Sequence, residues 1–146
     1  MVWSCLVSIL PGMAQTEKLT DYVNPFVGTD GYGNVYPGAQ IPFGGIQISP
    51  DTDSRFYDAA SGYKYNHLTL MGFSLTHLSG TGIPDLGDFL FIPGTGEMKL
   101  EPGTHEDPDQ GYRSRYSHDK EWASPNYYAV ELADYGVKAE MTSGVR

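Results

Sequence analysis

The 146-residue sequence is poor in cysteine and in positive charge, and it has no long apolar run. Its one cysteine, Cys5, lies within the first fourteen residues, which leaves the rest of the chain without a disulfide framework. Nine Lys and Arg against eighteen Asp and Glu give a net charge of -9, so nucleic-acid backbones and anionic membranes are excluded as partners. A membrane-spanning helix needs about 20 consecutive apolar residues, and no stretch here reaches that length. Strong helix formers never dominate a long window either. What is abundant is 18 glycines, 10 prolines and 11 tyrosines, and the 40% hydrophobic content is enough for a core. That balance predicts an all-β fold of strands and turns, one domain or part of one.

Residues 1–14, MVWSCLVSILPGMA, read as the remnant of a secretory signal peptide cut after Ala14, short and without a basic leading segment. The expectation is export, to the periplasm or surface of a bacterium.

The stretch GFSLTHLSGTGIPDLGD (72–88) organises the rest. Phe73, Leu75 and Leu78 enter it, Ser79-Gly80-Thr81-Gly82 breaks any regular period, and Asp85 and Asp88 precede the apolar run Phe89 to Ile92. Gly80 and Gly82 permit close backbone approach, so amides, hydroxyls and the His77 imidazole can converge on one polar ligand. No Lys or Arg occurs between Lys64 and Lys99, which suits a neutral sugar better than a phosphate. The same residues also fit a plain surface loop with a packed histidine. Ser79 is no nucleophile elbow, because Leu78 and His77 precede it where that motif requires glycine.

Earlier in the chain, GTDGYGNVYPG (28–38) carries four glycines with Tyr32 and Tyr36 and cannot form a regular helix. Aromatic faces beside Asp30 and Asn34 suit the C–H faces and hydroxyls of a pyranose, and equally suit turns with core tyrosines. Ile46 and Ile48 alternate as in a strand, which Pro50 to Asp53 are expected to end with a turn. Asp51 and Asp53 do not make a calcium loop, since Arg55 and Phe56 stand where an oxygen ligand and a glycine are needed. Tyr57, Tyr63 and Tyr65 fit a strand or a tyrosine-lined rim. Phe89 to Pro93 reads as a strand buried on both faces, Glu106, Asp107 and Asp109 as a solvated acidic turn, and Tyr112 to Ser117 as a strand with Arg113 and Arg115 on its charged face. Tyr128, Val130 and Leu132, then Val137, Ala139 and Met141, alternate around Ala133-Asp134-Tyr135-Gly136 and predict a half-buried antiparallel hairpin. No element closes the sheets after it, so the chain is expected to be part of a sandwich and prone to association.

Three blocks, DYVNPFVGTDGYGNVYPGAQIPFGGIQISPDT (21–52), GFSLTHLSGTGIPDLGDFLFIP (72–93) and YRSRYSHDKEWASPNYYAVELADYGVKAEMT (112–142), resemble the family 92 glycoside hydrolases, bacterial exo-acting α-mannosidases. The resemblance implies that residues 15–146 are the N-terminal part of an antiparallel β-sandwich domain, followed in such enzymes by a helical (α/α)6 domain. It implies a calcium-dependent, inverting enzyme acting on mannose-containing oligosaccharides, with calcium ligands mainly outside this chain. The catalytic acid and base are expected in the helical domain. The sandwich contributes loops to the interface with that domain and to the sugar pocket, which by position are Gly28, Thr29, Asp30, Tyr36, His77, Gly80, Thr81 and Asp85. Leu75 stands where many relatives carry a second histidine. A free-standing carbohydrate-binding module is the alternative.

Overall fold

A computed structural model describes residues 17–53, 55, 57–80, 82–84 and 87–144. The leader 1–14, Thr81 and Asp85 lie outside the described residues. Among the described residues eight strands and four short 3-10 turns make up the regular structure, and the class is all-β and antiparallel, as the composition predicts.

The predicted hairpin is present with its predicted turn: β7 is Tyr127–Leu132 and β8 is Val137–Thr142 (the last two strands in chain order). They pair antiparallel from Tyr127 opposite Thr142 to Leu132 opposite Val137. Gly136, at φ +62°, takes the left-handed position that closes the turn at no steric cost. The preceding strand β6, Glu121–Ser124, adds to β7 through Asn126, itself at φ +62°, giving a three-stranded meander.

Shorter strands build the second sheet. β1 (Ser49–Asp51) pairs with β3 (Gly72–Ser74), which pairs in turn with β4 (Leu90–Phe91). A third pair joins β2 (Thr69–Leu70) to β5 (Ser114–Arg115). Phe73 of β3 meets Tyr128 of β7 with ring centroids 6.5 Å apart, and the apolar cluster adds Leu70, Tyr63, Tyr116, Val130, Leu132 and Met141. Burying side chains of this size contributes roughly 1.5–3 kcal/mol each. The tyrosines at odd spacing divide accordingly, with Tyr63 in the core and Tyr57 and Tyr65 exposed.

Three expectations are corrected. Pro50 and Asp51 continue a strand rather than turning, because their partners Phe73 and Gly72 cover them. The run at Phe89 is an exposed edge, with Phe89 at 69% and Phe91 at 57% exposure, since β4 has a neighbour on one side only. Arg113 does not face solvent: it is 2% exposed, and its Nη1 donates to the Thr52 carbonyl at 2.6 Å and to Thr69 Oγ1 at 3.2 Å. An inward arginine is tolerated where carbonyl and hydroxyl oxygens replace its water.

Candidate functional site

The β1–β3 pairing places two residues far apart in sequence at one point. Asp51 ends β1 opposite Gly72, and His77 follows β3 by one short loop. His77 Nε2 lies 3.0 Å from Asp51 Oδ1 and 3.0 Å from Ser74 Oγ, while Nδ1 lies 2.8 Å from the Gln47 carbonyl. A carbonyl only accepts, so Nδ1 carries a hydrogen and the ring orientation is fixed. This is not a nucleophilic triad. In such a triad the acid sits on one ring nitrogen and the hydroxyl on the other, whereas here both share Nε2.

Above this pair opens a cavity of about 380 Å³, walled by Ser61, Gly62, Ser74, Thr76, Asp88 and others, with no Lys or Arg among the described residues of its lining. That volume lies within the range of small-molecule sites. Gly62, at φ +87°, closes directly over the pair: a Cβ there would stand 2.1 Å from Asp51 Oδ1. The loop beyond His77 is pinned at its base, where Gly87 N donates to the Thr76 carbonyl at 2.9 Å and Thr76 Oγ1 donates to Asp88 Oδ2 at 2.7 Å.

The two loops singled out in the sequence meet here. The Tyr36 ring lies 4.9 Å from the His77 ring, Gly80 N donates to the Asn34 carbonyl at 2.6 Å, and Ser61 Oγ donates to the Val35 carbonyl at 3.1 Å. Burial pushes the Tyr36 phenol up from its ordinary range, so it stays a hydroxyl. Tyr36 also walls a second recess of about 300 Å³ with Gln40, Ser79 and Asn126. Of the other candidates, Gly28 holds φ +85° in the loop, Thr29 is buried with its hydroxyl donating to the Phe26 carbonyl at 2.8 Å, and Asp30 is exposed. None of these three lines the His77 cavity. The sequence reading missed Asp51, Gly62, Ser74 and Thr76 as cavity residues. The only signal was the Ser49-Pro50-Asp51 segment, and its pairing with Gly72 is invisible in a three-residue alternation.

A separate buried polar cluster lies beyond β1. His105 Nδ1 receives hydrogens from Thr69 Oγ1 at 2.8 Å and Arg113 Nη1 at 3.4 Å, which places its own hydrogen on Nε2, 3.4 Å from Asp53 Oδ2. Burial, with the charges of His67 and Arg113, lowers His105 to about 4. Burial would raise the Asp53 carboxyl, but hydrogen bonds and charge from Arg55, with charge from His105, hold it down at about 2. Among the described residues no group of three or more His, Cys, Asp or Glu side chains can hold a metal ion. No helix among them is long and apolar enough to cross a membrane.

The fold is an antiparallel all-β domain with an acid-bearing cavity. A profile of the glycosyl hydrolase family 92 N-terminal domain matches residues 22–146, and the chain belongs to that family. A protein of Arthroderma benhamiae described as an uncharacterized secreted glycosidase is 32% identical over 123 residues, 83% of this chain and 15% of that one. The solved structure of the GH92 family glycosyl hydrolase ccman5 superposes with a TM-score of 0.70 at 31% identity, over 87% of this chain and 18% of that one. The family GH92 inverting mannosidase of Bacteroides thetaiotaomicron shares the fold, with a TM-score of 0.58 at 24% identity over 88% of this chain and 17% of that one. The chain thus spans less than a fifth of the length of each of these relatives.

Proposed function

We propose that this chain supplies the sandwich side of the sugar pocket in an exported, calcium-dependent, inverting exo-α-mannosidase that trims mannose-rich glycans. The observation that supports it most is the cavity over Asp51 and His77, which among the described residues offers acids, hydroxyls and an imidazole to a ligand but no Lys or Arg. Such a lining favours a neutral polyhydroxylated ring over phosphates or carboxylates. Inverting hydrolysis needs a carboxylic acid on the leaving oxygen and a carboxylate activating water, about 6.5–9.5 Å apart. In this reading both come from a helical domain outside the chain, along with most calcium ligands, and Asp51 and Asp88 hold sugar without cleaving it. In this reading the loops at 28–38 and 77–85 serve the sugar pocket and the interface with that domain.

The test is to express the product of the complete gene and assay mannose release from α-1,2-mannobiose, with and without a calcium chelator. Release abolished by chelation is the expected result, and the 146-residue chain alone is expected to release none. A complete product that binds mannosides without cleaving them would make this a carbohydrate-binding module instead.

A further inference from the structure

We propose that Asp51 is the residue of this chain that reads a substrate hydroxyl in the cavity, a role resting on the sugar-pocket reading above. Asp51 is 4% exposed and its backbone is locked, with its carbonyl accepting from Met71 N at 2.7 Å. One carboxylate oxygen is engaged by His77 at 3.0 Å, and the other, Oδ2, is buried with no hydrogen-bond partner. A buried carboxylate oxygen left without a donor is costly, and it persists where something else completes it.

Among the described residues the protein supplies no such donor. The cavity has no Lys or Arg in its lining, and its other hydroxyls are engaged: Ser61 with the Val35 carbonyl, Ser74 with His77, Thr76 with Asp88. The missing hydrogen therefore comes from whatever enters the cavity. An anion is disfavoured by two acids with no Lys or Arg beside them among the described residues, and a neutral ring bearing hydroxyls fits.

Geometry keeps the acid from turning away. The His77 contact and the paired β1 backbone hold it, and Gly62, where an added Cβ would come within 2.1 Å of Oδ1, leaves it room. Asp51 lines the cavity but Oδ2 is buried as it stands, so a small change in χ2 that keeps the His77 contact is what turns this oxygen to a ligand. His77 is the positioning partner, and Asp51 is the group that touches sugar.

The experiment uses the protein from the complete gene and titrates methyl α-D-mannopyranoside and its four monodeoxy analogues by calorimetry. One analogue should lose about 10- to 100-fold in affinity, as expected for a hydrogen bond to a charged group. Asp51→Asn should weaken the parent sugar by a similar factor and show no additional loss with that analogue. Equal binding by wild type and Asp51→Asn, or the same deoxy penalty in both, overturns the inference while leaving the sugar reading in place. Failure of the wild type to bind any of these sugars removes the sugar reading and the inference with it. Should Asp51→Asn not fold, the wild type labelled with 13C-aspartate decides: the Asp51 carboxyl resonance should move on adding methyl mannoside. A resonance that does not move, or that moves with calcium alone and not with sugar, overturns the proposal.

Discussion

Asp51 Oδ1 and His77 Nε2 meet at 3.0 Å across twenty-six positions of sequence, brought together by the pairing of two three-residue strands. The contact depends on a third position that carries no side chain. Gly62→Ala puts a methyl group where Asp51 Oδ1 stands and imposes a left-handed φ on alanine. The expected cost is about 2 kcal/mol or more, read as a lowered urea midpoint, together with loss of mannoside binding. An unchanged midpoint would show that Gly62 does not constrain the pair.

Acid should destabilise the fold in two stages. His105 has its folded value lowered from 6.5 to about 4, so the unfolded chain takes up that proton first and stability falls between those values as pH drops. Asp53, lowered from 3.8 to about 2, contributes stability that is present above 3.8 and lost as pH falls through 2. At 1.36 kcal/mol per unit, the first stage is at most about 3 kcal/mol. His105→Gln should flatten the slope above pH 4 and leave the lower stage. Urea midpoints from pH 7.5 to 2 measure both, and an unchanged slope above pH 4 in the variant would refute the assignment.

The β4 edge should make the 146-residue chain self-associate. Phe89, Leu90, Ile83 and Phe91 are exposed beside unpaired strand backbone, a combination that templates pairing with another chain. Phe91→Lys places a charge on that edge and should shift the sedimentation profile towards monomer. A wild-type chain that stays monomeric at high concentration would count against this.

Glu121 should be worth more to stability than any surface acid. It is buried and accepts from Tyr63 at 3.0 Å, from Tyr128, and from His118 Nδ1 at 2.6 Å. Burial and the Glu121 charge keep the Tyr128 phenol well above its ordinary range, so it serves as a donor. Glu121→Ala strands these groups and should cost about 3 kcal/mol, whereas Tyr63→Phe removes one donor and should cost about 1 kcal/mol. Denaturant unfolding of the two variants checks the ratio.

The hairpin at 127–142 was legible because six-residue strands with one buried face give a full period-two signal. The family resemblance followed from three long blocks, and the matched profile covers them. The cavity was half legible. His77 and Tyr36 advertise themselves by residue type, but Asp51 and Gly62 reach the site only through the β1–β3 register and a left-handed turn, neither of which leaves a periodic trace. Arg113 and the Phe89 run failed for a related reason. Alternation cannot distinguish an arginine that points out from one that finds carbonyls inside, nor a central strand from an edge.

A single residue, Met71, separates β2 from β3, so the chain passes from one sheet to the next without slack. Leu70 is clamped in the core on one side, Phe73 on the other, and between them Met71 N holds the Asp51 carbonyl. The cavity floor is therefore geared to the interior. On the proposed reading, a core substitution at Leu70 or Phe73 is expected to change mannoside affinity even where the protein stays folded, and tight ligand binding to stiffen the core in turn.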